Sequence, residues 1–476
     1  MVRNFIGGKP KEAEGSPHSK LIDPVTEEVS CHAPISRESE VDAAFSAAHH
    51  AFQEWRFSTP QERASALLAI ADDIAAEISD LLTKEVADTG KPLAGLRDDE
   101  IEPSIDVLRF FAGAARTGEV RATGEYVSAH TSLVRREPLG VCAQITPWNF
   151  PLMMAVWKIA PALAAGNAVV LKPAETTPRT AVRLAEVAAR HLPPGTVNVV
   201  CGDRDTGRLV AGHPRAALVS FTGSTRAGRE VAESAGRSLK RLHLELGGNA
   251  PALVFADADV ARAADQIARA SFANAGQDCV AVNRVLVQEP LLESFTEALV
   301  DLAGRLRPGL PDDPDAFLGP LNNAQQLERI TGLVERLPDR ARVLAGGHRV
   351  GNRGYFFAPT VIGGVHQDDE IVQQELFAPV LTVQPFRTEE EALALANGVE
   401  QGLASSVWTT DHGTAMRCAT ALDSGCVWVN THTQLPSEMP HGGVKQSGYG
   451  KDLSGYALDD YTRIKHVMTY LGGSST

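Results

Sequence analysis

The sequence predicts an α/β protein built on a parallel, doubly wound sheet, and three observations carry that expectation. From residue 141 onward, short apolar runs alternate with amphipathic stretches, the pattern of successive βαβ units. A second series of the same kind starts at residue 250. The chain has 476 residues, 43% of them hydrophobic, so it can divide into two or three domains around a sizeable core.

The elements follow in order. VDAAFSAAHHAFQEW and QERASALLAIADDIAAEISDLLTKEVADTG space apolar residues by three and four, so residues from about 40 to 115 read as helices. VCAQIT then reads as a strand, PLMMAVWKIAPALAAG as a helix and AVVLKP as a second strand. In the helix TPRTAVRLAEVAARHL, Thr177 is the expected N-cap and Pro178 the first helical residue. VNVVC, ALVSFTG and RLHLEL continue the strands, with DTGRLVAGH and TRAGREVAESAG as helices between them. The second series runs from APALVF through DVARAADQIARASFANAG, RVLVQ and PLLESFTEALVDLAGRL to GCVWVN, which puts the best domain boundary at about 246–250. EYVSAHTSLVRREP and TRIKHVMTYL belong to neither series. Amphipathic strands of this kind pair with each other or across a subunit interface, so a homo-oligomer is expected.

Composition narrows the function classes. A formal charge of −14 argues against nucleic-acid binding, which wants a concentrated basic face. The cysteines Cys31, Cys142, Cys201, Cys279, Cys418 and Cys426 are scattered, with no C-x-x-C pair and no metal-ligand spacing to histidine. Reduced thiols in a cytoplasmic protein are expected, and no metal. The segment MVRNFIGGKPKEAEGS lacks the apolar run of a secretory signal, and no stretch approaches the roughly 18 apolar residues of a membrane span.

Two segments suit a nucleotide. LVSFTGSTRAGRE puts glycine, serine and threonine between a strand and a helix, where free backbone N–H groups favour a pyrophosphate. Gly223 and Gly228 are spaced G-x-x-x-x-G, so the Rossmann fingerprint itself is missing; a lone glycine turn of this sort is more often structural. In LKPAE, Lys172 and Glu175 follow a buried strand at its carboxyl end, the ligand edge of such sheets. They could hold both hydroxyls of a ribose, and Glu175 would repel a 2′-phosphate, favouring NAD over NADP. The plainer reading makes them exposed loop charges.

The chemistry centres on Cys279 in NAGQDCVAVNR and Glu245 in LHLELGGNAP. A cysteine can attack a carbonyl carbon, and a carboxylate can take a proton from the thiol or from water. These two residues alone also fit a cofactor-independent Cys/Glu hydrolase of esters or amides, which would leave FTGSTRAG and LKPAE idle.

PWNFP, LKPAE, FTGSTRAG, ELGG, NAGQDC and QELFAP occur in one order across nearly the whole chain, and together they make it resemble the aldehyde dehydrogenase superfamily. The resemblance implies a Rossmann-like NAD-binding domain from residues 1–116 and 139–246, and an α/β catalytic domain over 247–446. It also implies a small β oligomerisation element from 117–138 and 455–476, within a dimer or tetramer. It casts Cys279 as nucleophile and Glu245 as general base, with Asn149 and the Cys279 backbone N–H stabilising the oxyanion. Thr146, Pro147 and Trp148 would flank the cofactor. Lys172, Glu175, Gly202, Gly223 and Ser224 would bind its adenosine and pyrophosphate, and Gly247, Glu375 and Phe377 its nicotinamide end. Lys158 and Asp452 would carry protons from the base to solvent, or form an ordinary ion pair.

The implied reaction adds the thiolate to an aldehyde and passes hydride to NAD. Glu245 then activates water to release the acid from a thioester, and its presence argues for hydrolysis over acylation of coenzyme A. One departure is Ala378, where the family usually has glycine; a side chain there would resist a positive φ.

SEMPHGGVKQSGYGKDLSGYALDDYT brings the resemblance nearest to bacterial 4-aminobutyraldehyde dehydrogenases, enzymes of polyamine catabolism. Phe150 and Trp157 would then wall the substrate pocket beside His441. Asp99, Glu100, Glu102 and Glu438 are candidate anions for an ammonium group, although DDEIE reads first as a solvated helix face. Succinate-semialdehyde or betaine-aldehyde dehydrogenase is the alternative, and the motifs place no arginine at the pocket for a dicarboxylate precursor.

Overall fold

A computed structural model describes residues 1–13, 15–117 and 123–472. Its first sheet has eight strands. Five parallel strands form the middle, in the spatial order Val197–Val199, Ala168–Lys172, Val141–Ile145, Ala216–Gly223 and Arg241–Leu246. Chain order reverses between Val141–Ile145 and Ala216–Gly223, which opens a crevice beyond their carboxyl ends. An N-terminal hairpin, Asn4–Ile6 with Lys9–Lys11, closes one edge, and Gly448–Tyr449 pairs antiparallel with Arg241–Leu246 at the other.

The second sheet has seven strands. Thr360–Gly363, Val380–Phe386, Val282–Gln288, Ala250–Val254, Ala404–Trp408 and Cys426–Val429 run parallel in that spatial order, and Arg342–Ala345 adds an antiparallel edge. Parallel strands covered on both faces should be apolar without alternation. Val141–Ile145, Ala168–Lys172, Ala250–Val254 and Ala404–Trp408 are accordingly buried at every position.

The helix Pro151–Ala164 is also buried along its whole length, as expected of a helix that is apolar all round. It packs against the helices Pro60–Ala76 and Glu102–Thr117. A proline at its first turn costs no hydrogen bond there, which lets the chain leave the Val141–Ile145 strand and start a helix within a few residues.

Thr462–Tyr470, His130–Pro138 and Thr123–Val127 make a separate antiparallel sheet, so the two unassigned strands of the sequence pair with each other. Ile464, Met468 and Tyr470 are exposed on it. Residues 118–122 and 473–476 of the expected oligomerisation element lie outside the described residues. Ahead of its last strand the chain forms a short helix, Tyr456–Asp460, packed on Pro151–Ala164.

One cap differs from expectation. The helix begins at Arg179 with Pro178 in the cap position, and Thr177 is buried, its N–H donating to Ala174 O in a turn. The free Arg179 N–H donates instead to Asp88 Oδ2, brought in from the helix Ile78–Thr89. A distant carboxylate supplies what a local threonine does at an isolated helix.

No described helix is long and apolar enough to cross a membrane.

Candidate active site

A cavity of about 1240 Å³ lies between the two sheets, and Asn149, Glu245, Cys279 and His441 all line it. The first sheet reaches it through strand carboxyl ends. Glu245 is the penultimate residue of Arg241–Leu246, in register with Thr222 on the neighbouring strand. The turn after it is fixed by Ser447: Leu246 N donates to Ser447 O, and Ser447 Oγ donates to Gly247 O. Asn149 ends the loop between Val141–Ile145 and the buried helix, and its backbone O accepts from Asn274 Nδ2 of the facing half.

The second sheet supplies residues from loops that lead into its strands. Cys279 precedes Val282–Gln288, and Glu375 and Phe377 precede Val380–Phe386. These loops are tightly bent. Asn274, Ala275 and Phe377 have positive φ (49°, 55° and 49°), left-handed conformations that cost energy outside glycine. Side chains hold them in place. Gln277 donates from Nε2 to Asn274 O and Pro320 O and accepts from Asn322 N, while Asp278 Oδ1 accepts from Val280 N. Gly248 lets the two halves meet, since a Cβ there would fall 2.0 Å from Cys279 O.

The centre is strongly anionic. Burial pushes the Cys279 thiol well above its usual range, and the carboxylates of Glu245, Asp278 and Glu375 push it further. Burial likewise raises Asp278, and raises Glu375 to about 7 against the hydrogen bond from Gly248 N. A thiol in this state is neutral at rest, so its activation requires a base close by. Glu245 is 2% exposed and its Oε1 stands 3.4 Å from His441 Nε2, with neither atom hydrogen-bonded.

Lys158 and Asp452 form an ion pair at 3.1 Å with both side chains fully buried. Burial opposes ionisation of Asp452, yet Lys158 and His243 hold its carboxyl below the usual range. Neither residue lines the cavity. Asp452 reaches it through the backbone, exchanging two N–H···O bonds with His441.

The residues expected to hold the nucleotide divide into two groups. Pro147, Trp148, Gly223, Ser224, Gly247, Glu375 and Phe377 line the cavity, whereas Thr146, Lys172, Glu175 and Gly202 do not. Lys172 is buried and lies 3.6 Å from the half-exposed Glu175; burial lowers the lysine, and Glu175 partly restores it. Ser224 caps the helix Thr225–Gly236 by accepting from Ala227 N. Buried Thr146 and Thr222 hydroxyls have no hydrogen-bond partner among the described residues. A strand-end cleft with a helix N-terminus, unpartnered hydroxyls and a Lys/Glu pair fits a dinucleotide. Trp148 and Phe377, edge to face at 5.2 Å, link the two halves at its inner end.

At the far side, Phe150, Met153, Met154 and Trp157 of the buried helix form an apolar wall. Lys91 Nζ sits 4.2 Å over the Phe150 ring and pairs with Glu100 at 2.6 Å. Two expectations are corrected here, the first in part. The DDEIE stretch is only partly a solvated face: Asp98 and Asp99 are exposed where they line the cavity, Glu102 lines it half-buried, and Glu100 is 1% exposed. Glu438 does not reach the cavity and is exposed instead, because Ser437 turns inward to donate to Asp106. Ala378 does not carry the left-handed conformation; Phe377 does.

Sequence reasoning missed Asp106, Gln277, Asp278 and Arg329. Gln277 and Asp278 stood inside the NAGQDC segment, and their anchoring roles are visible only once the loop is folded. Arg329 lines the cavity and donates to Glu375 O and to Leu376 O, and nothing local marks it.

A profile of the aldehyde dehydrogenase family matches residues 11–467. Among solved structures, the fold is similar to a betaine aldehyde dehydrogenase from Staphylococcus aureus in complex with NAD+. That match has 36% identity, 100% of this chain and 96% of that one covered, and a TM-score of 0.95. It is equally similar to an NAD-dependent aldehyde dehydrogenase from Sinorhizobium meliloti, at 37% identity, with 100% and 96% covered and a TM-score of 0.96.

Proposed function

The chain belongs to the aldehyde dehydrogenase family, and on that premise we propose that it is an NAD-dependent enzyme oxidising a cationic aminoaldehyde, such as 4-aminobutanal, to its acid. The observation that carries the chemistry is the convergence of Cys279, Glu245 and Asn149 on one cavity from two separate sheets.

Cys279 Sγ attacks the carbonyl carbon once a base has taken its proton. The Asn149 side chain and the Cys279 backbone N–H face the oxygen on which charge develops. Bound NAD supplies a hydride acceptor. Glu245 then takes a proton from water, which cleaves the thioester and frees the thiol. Lys158 and Asp452 are positioning residues: their buried ion pair fixes the backbone segment bonded to His441, beside the base.

Charge at the cavity rim supports the aminoaldehyde. Asp98, Asp99 and Asp106 line the rim and make no ion pair among the described residues. Burial, then the neighbouring Asp98, raises the Asp99 carboxyl, and a cation would relieve that repulsion. Arg109 also lines the cavity but is already paired with Asp72. An ammonium offers N–H donors to such carboxylates, and the apolar wall suits its methylenes. Betaine aldehyde is the second reading, favoured by likeness to the staphylococcal enzyme; its quaternary ammonium has no N–H to donate and draws on aromatic faces instead.

Steady-state kcat/KM for 4-aminobutanal, 3-aminopropanal, betaine aldehyde and succinic semialdehyde tests the proposal. The aminoaldehydes should lead, and Asp106→Asn with Asp99→Asn should raise their KM by about tenfold or more. Preference for succinic semialdehyde would overturn the substrate assignment. Absence of NAD reduction with every aldehyde would overturn the reaction and revive the hydrolase.

A further inference from the structure

We propose that Cys279, His441 and Glu245 form a binding site for a thiophilic divalent cation, Zn2+ above all, and that its occupation closes the catalytic centre. The thiol sulfur, an imidazole nitrogen and a carboxylate oxygen of these residues lie within 4.8 Å of one another. A tetrahedral zinc ion, bonded at roughly 2.0–2.3 Å, holds its nitrogen, oxygen and sulfur ligands about 3.4–3.6 Å apart. His441 Nε2 and Glu245 Oε1 already stand at 3.4 Å, one edge of that tetrahedron.

Both atoms are nearly sealed from solvent and neither is hydrogen-bonded, nor is His441 Nδ1. Buried polar atoms left this way are costly, and a cation between them removes the cost. Cys279 has to approach by about an ångström, within reach of a rotation about its Cα–Cβ bond. The fourth corner faces the cavity, where water completes the shell, giving the open geometry of a non-structural site.

The surroundings orient the ligands beforehand. The His441 ring packs edge-on against Trp157 at 5.3 Å, and its backbone exchanges both hydrogen bonds with Asp452. Support of this kind strengthens a metal site. Asp278 and Glu375 add negative charge around Cys279, which a dication offsets.

Binding forms a metal–sulfur bond and breaks the S–H bond; the proton leaves to solvent, and no electron is transferred. Nucleophile and base are then both engaged, so the enzyme is reversibly inhibited. His441 makes the difference: with an aromatic carbon ring in its place only two protein ligands remain.

The test is calorimetric titration of the metal-free full chain with ZnCl2, in buffers of different ionisation enthalpy. One ion per chain should bind, with about one proton released. Co2+ should give a thiolate-to-cobalt charge-transfer band. Cys279→Ser and His441→Phe should each weaken binding by roughly a hundredfold or more, with retained NAD binding reporting that each variant is folded. As a measurement on the native protein, Zn2+ should slow iodoacetamide alkylation of Cys279 relative to Cys31, read by peptide mass. Absence of stoichiometric binding, affinity unchanged in both variants, or unprotected Cys279 would each overturn the site. No aldehyde enters these measurements, so their outcome is separate from the substrate assignment.

Discussion

Glu245 and Asn149 sit just beyond or at the carboxyl ends of strands in the first sheet, whereas Cys279 and Glu375 sit ahead of the amino ends of strands in the second. The two halves therefore hold their residues differently. In the first, continuous strand ladders carry Glu245: its neighbours on both sides are hydrogen-bonded strands, Ala216–Gly223 and Gly448–Tyr449. In the second, left-handed residues and side-chain clasps do the holding, with Gln277, Asp278 and Arg329 gripping backbone that belongs to no ladder. A ladder holds its residue through backbone hydrogen bonds and a clasped loop through side chains, so a single substitution can disturb the second more readily than the first.

The largest expected effects fall on the two reacting side chains, and they separate the halves. Cys279→Ala should lower aldehyde oxidation by about 10⁴-fold or more while NAD binding stays within about twofold. Glu245→Gln should permit a burst of NADH and then stall by about 10²–10⁴-fold, with the acyl group found on Cys279 by mass spectrometry. A complete absence of burst would instead make Glu245 the activator of the thiol.

Next in size is the clasp. Gln277→Ala removes three hydrogen bonds around the Cys279 loop and should cut kcat by about ten- to a hundredfold through misplacement alone. An equal loss on Ser447→Ala, which loosens the ladder side, would erase the distinction between the halves.

A smaller effect concerns pH. Glu375 has its carboxyl raised from 4.5 to about 7, mainly by burial. The folded state therefore holds this proton more tightly than the unfolded chain does. That contribution to stability is complete below about pH 4.5, fades between 4.5 and 7, and is gone above. Wild type should thus lose Tm relative to Glu375→Gln as pH rises through this window, by about a few degrees in thermal melts. Parallel melting curves would show that Glu375 is ionised throughout.

The smallest effect is expected from Ala378→Gly. Because Phe377 carries the positive φ, restoring the family's usual glycine should change kcat/KM by less than about twofold. A large gain would mean that this loop is strained by the alanine methyl.

The same contrast explains what was legible in the sequence. Strand-end residues such as Glu245, Gly223 and Lys172 lie where periodicity and the ligand edge of α/β sheets direct attention, so the first half could be read from its pattern. In the second half Cys279 was found by its chemistry, and Gly247, His441 and the Glu375–Phe377 segment by resemblance. Asp278 and Gln277 look like ordinary loop polars until the loop folds back on Asn322 and Pro320.

The sequence by itself determined the α/β class and pointed to the functional groups proposed to react, because side-chain periodicity and functional-group chemistry are local properties. Only the tertiary structure decided which carboxylates face the cavity, admitting Asp98, Glu100 and Asp106 and excluding Glu438. It also decided that Asp88 rather than Thr177 serves the Arg179 helix, and that Phe377 bears the turn. Each of those outcomes depends on where a side chain points once distant segments have packed, and residues far apart in the chain set that direction.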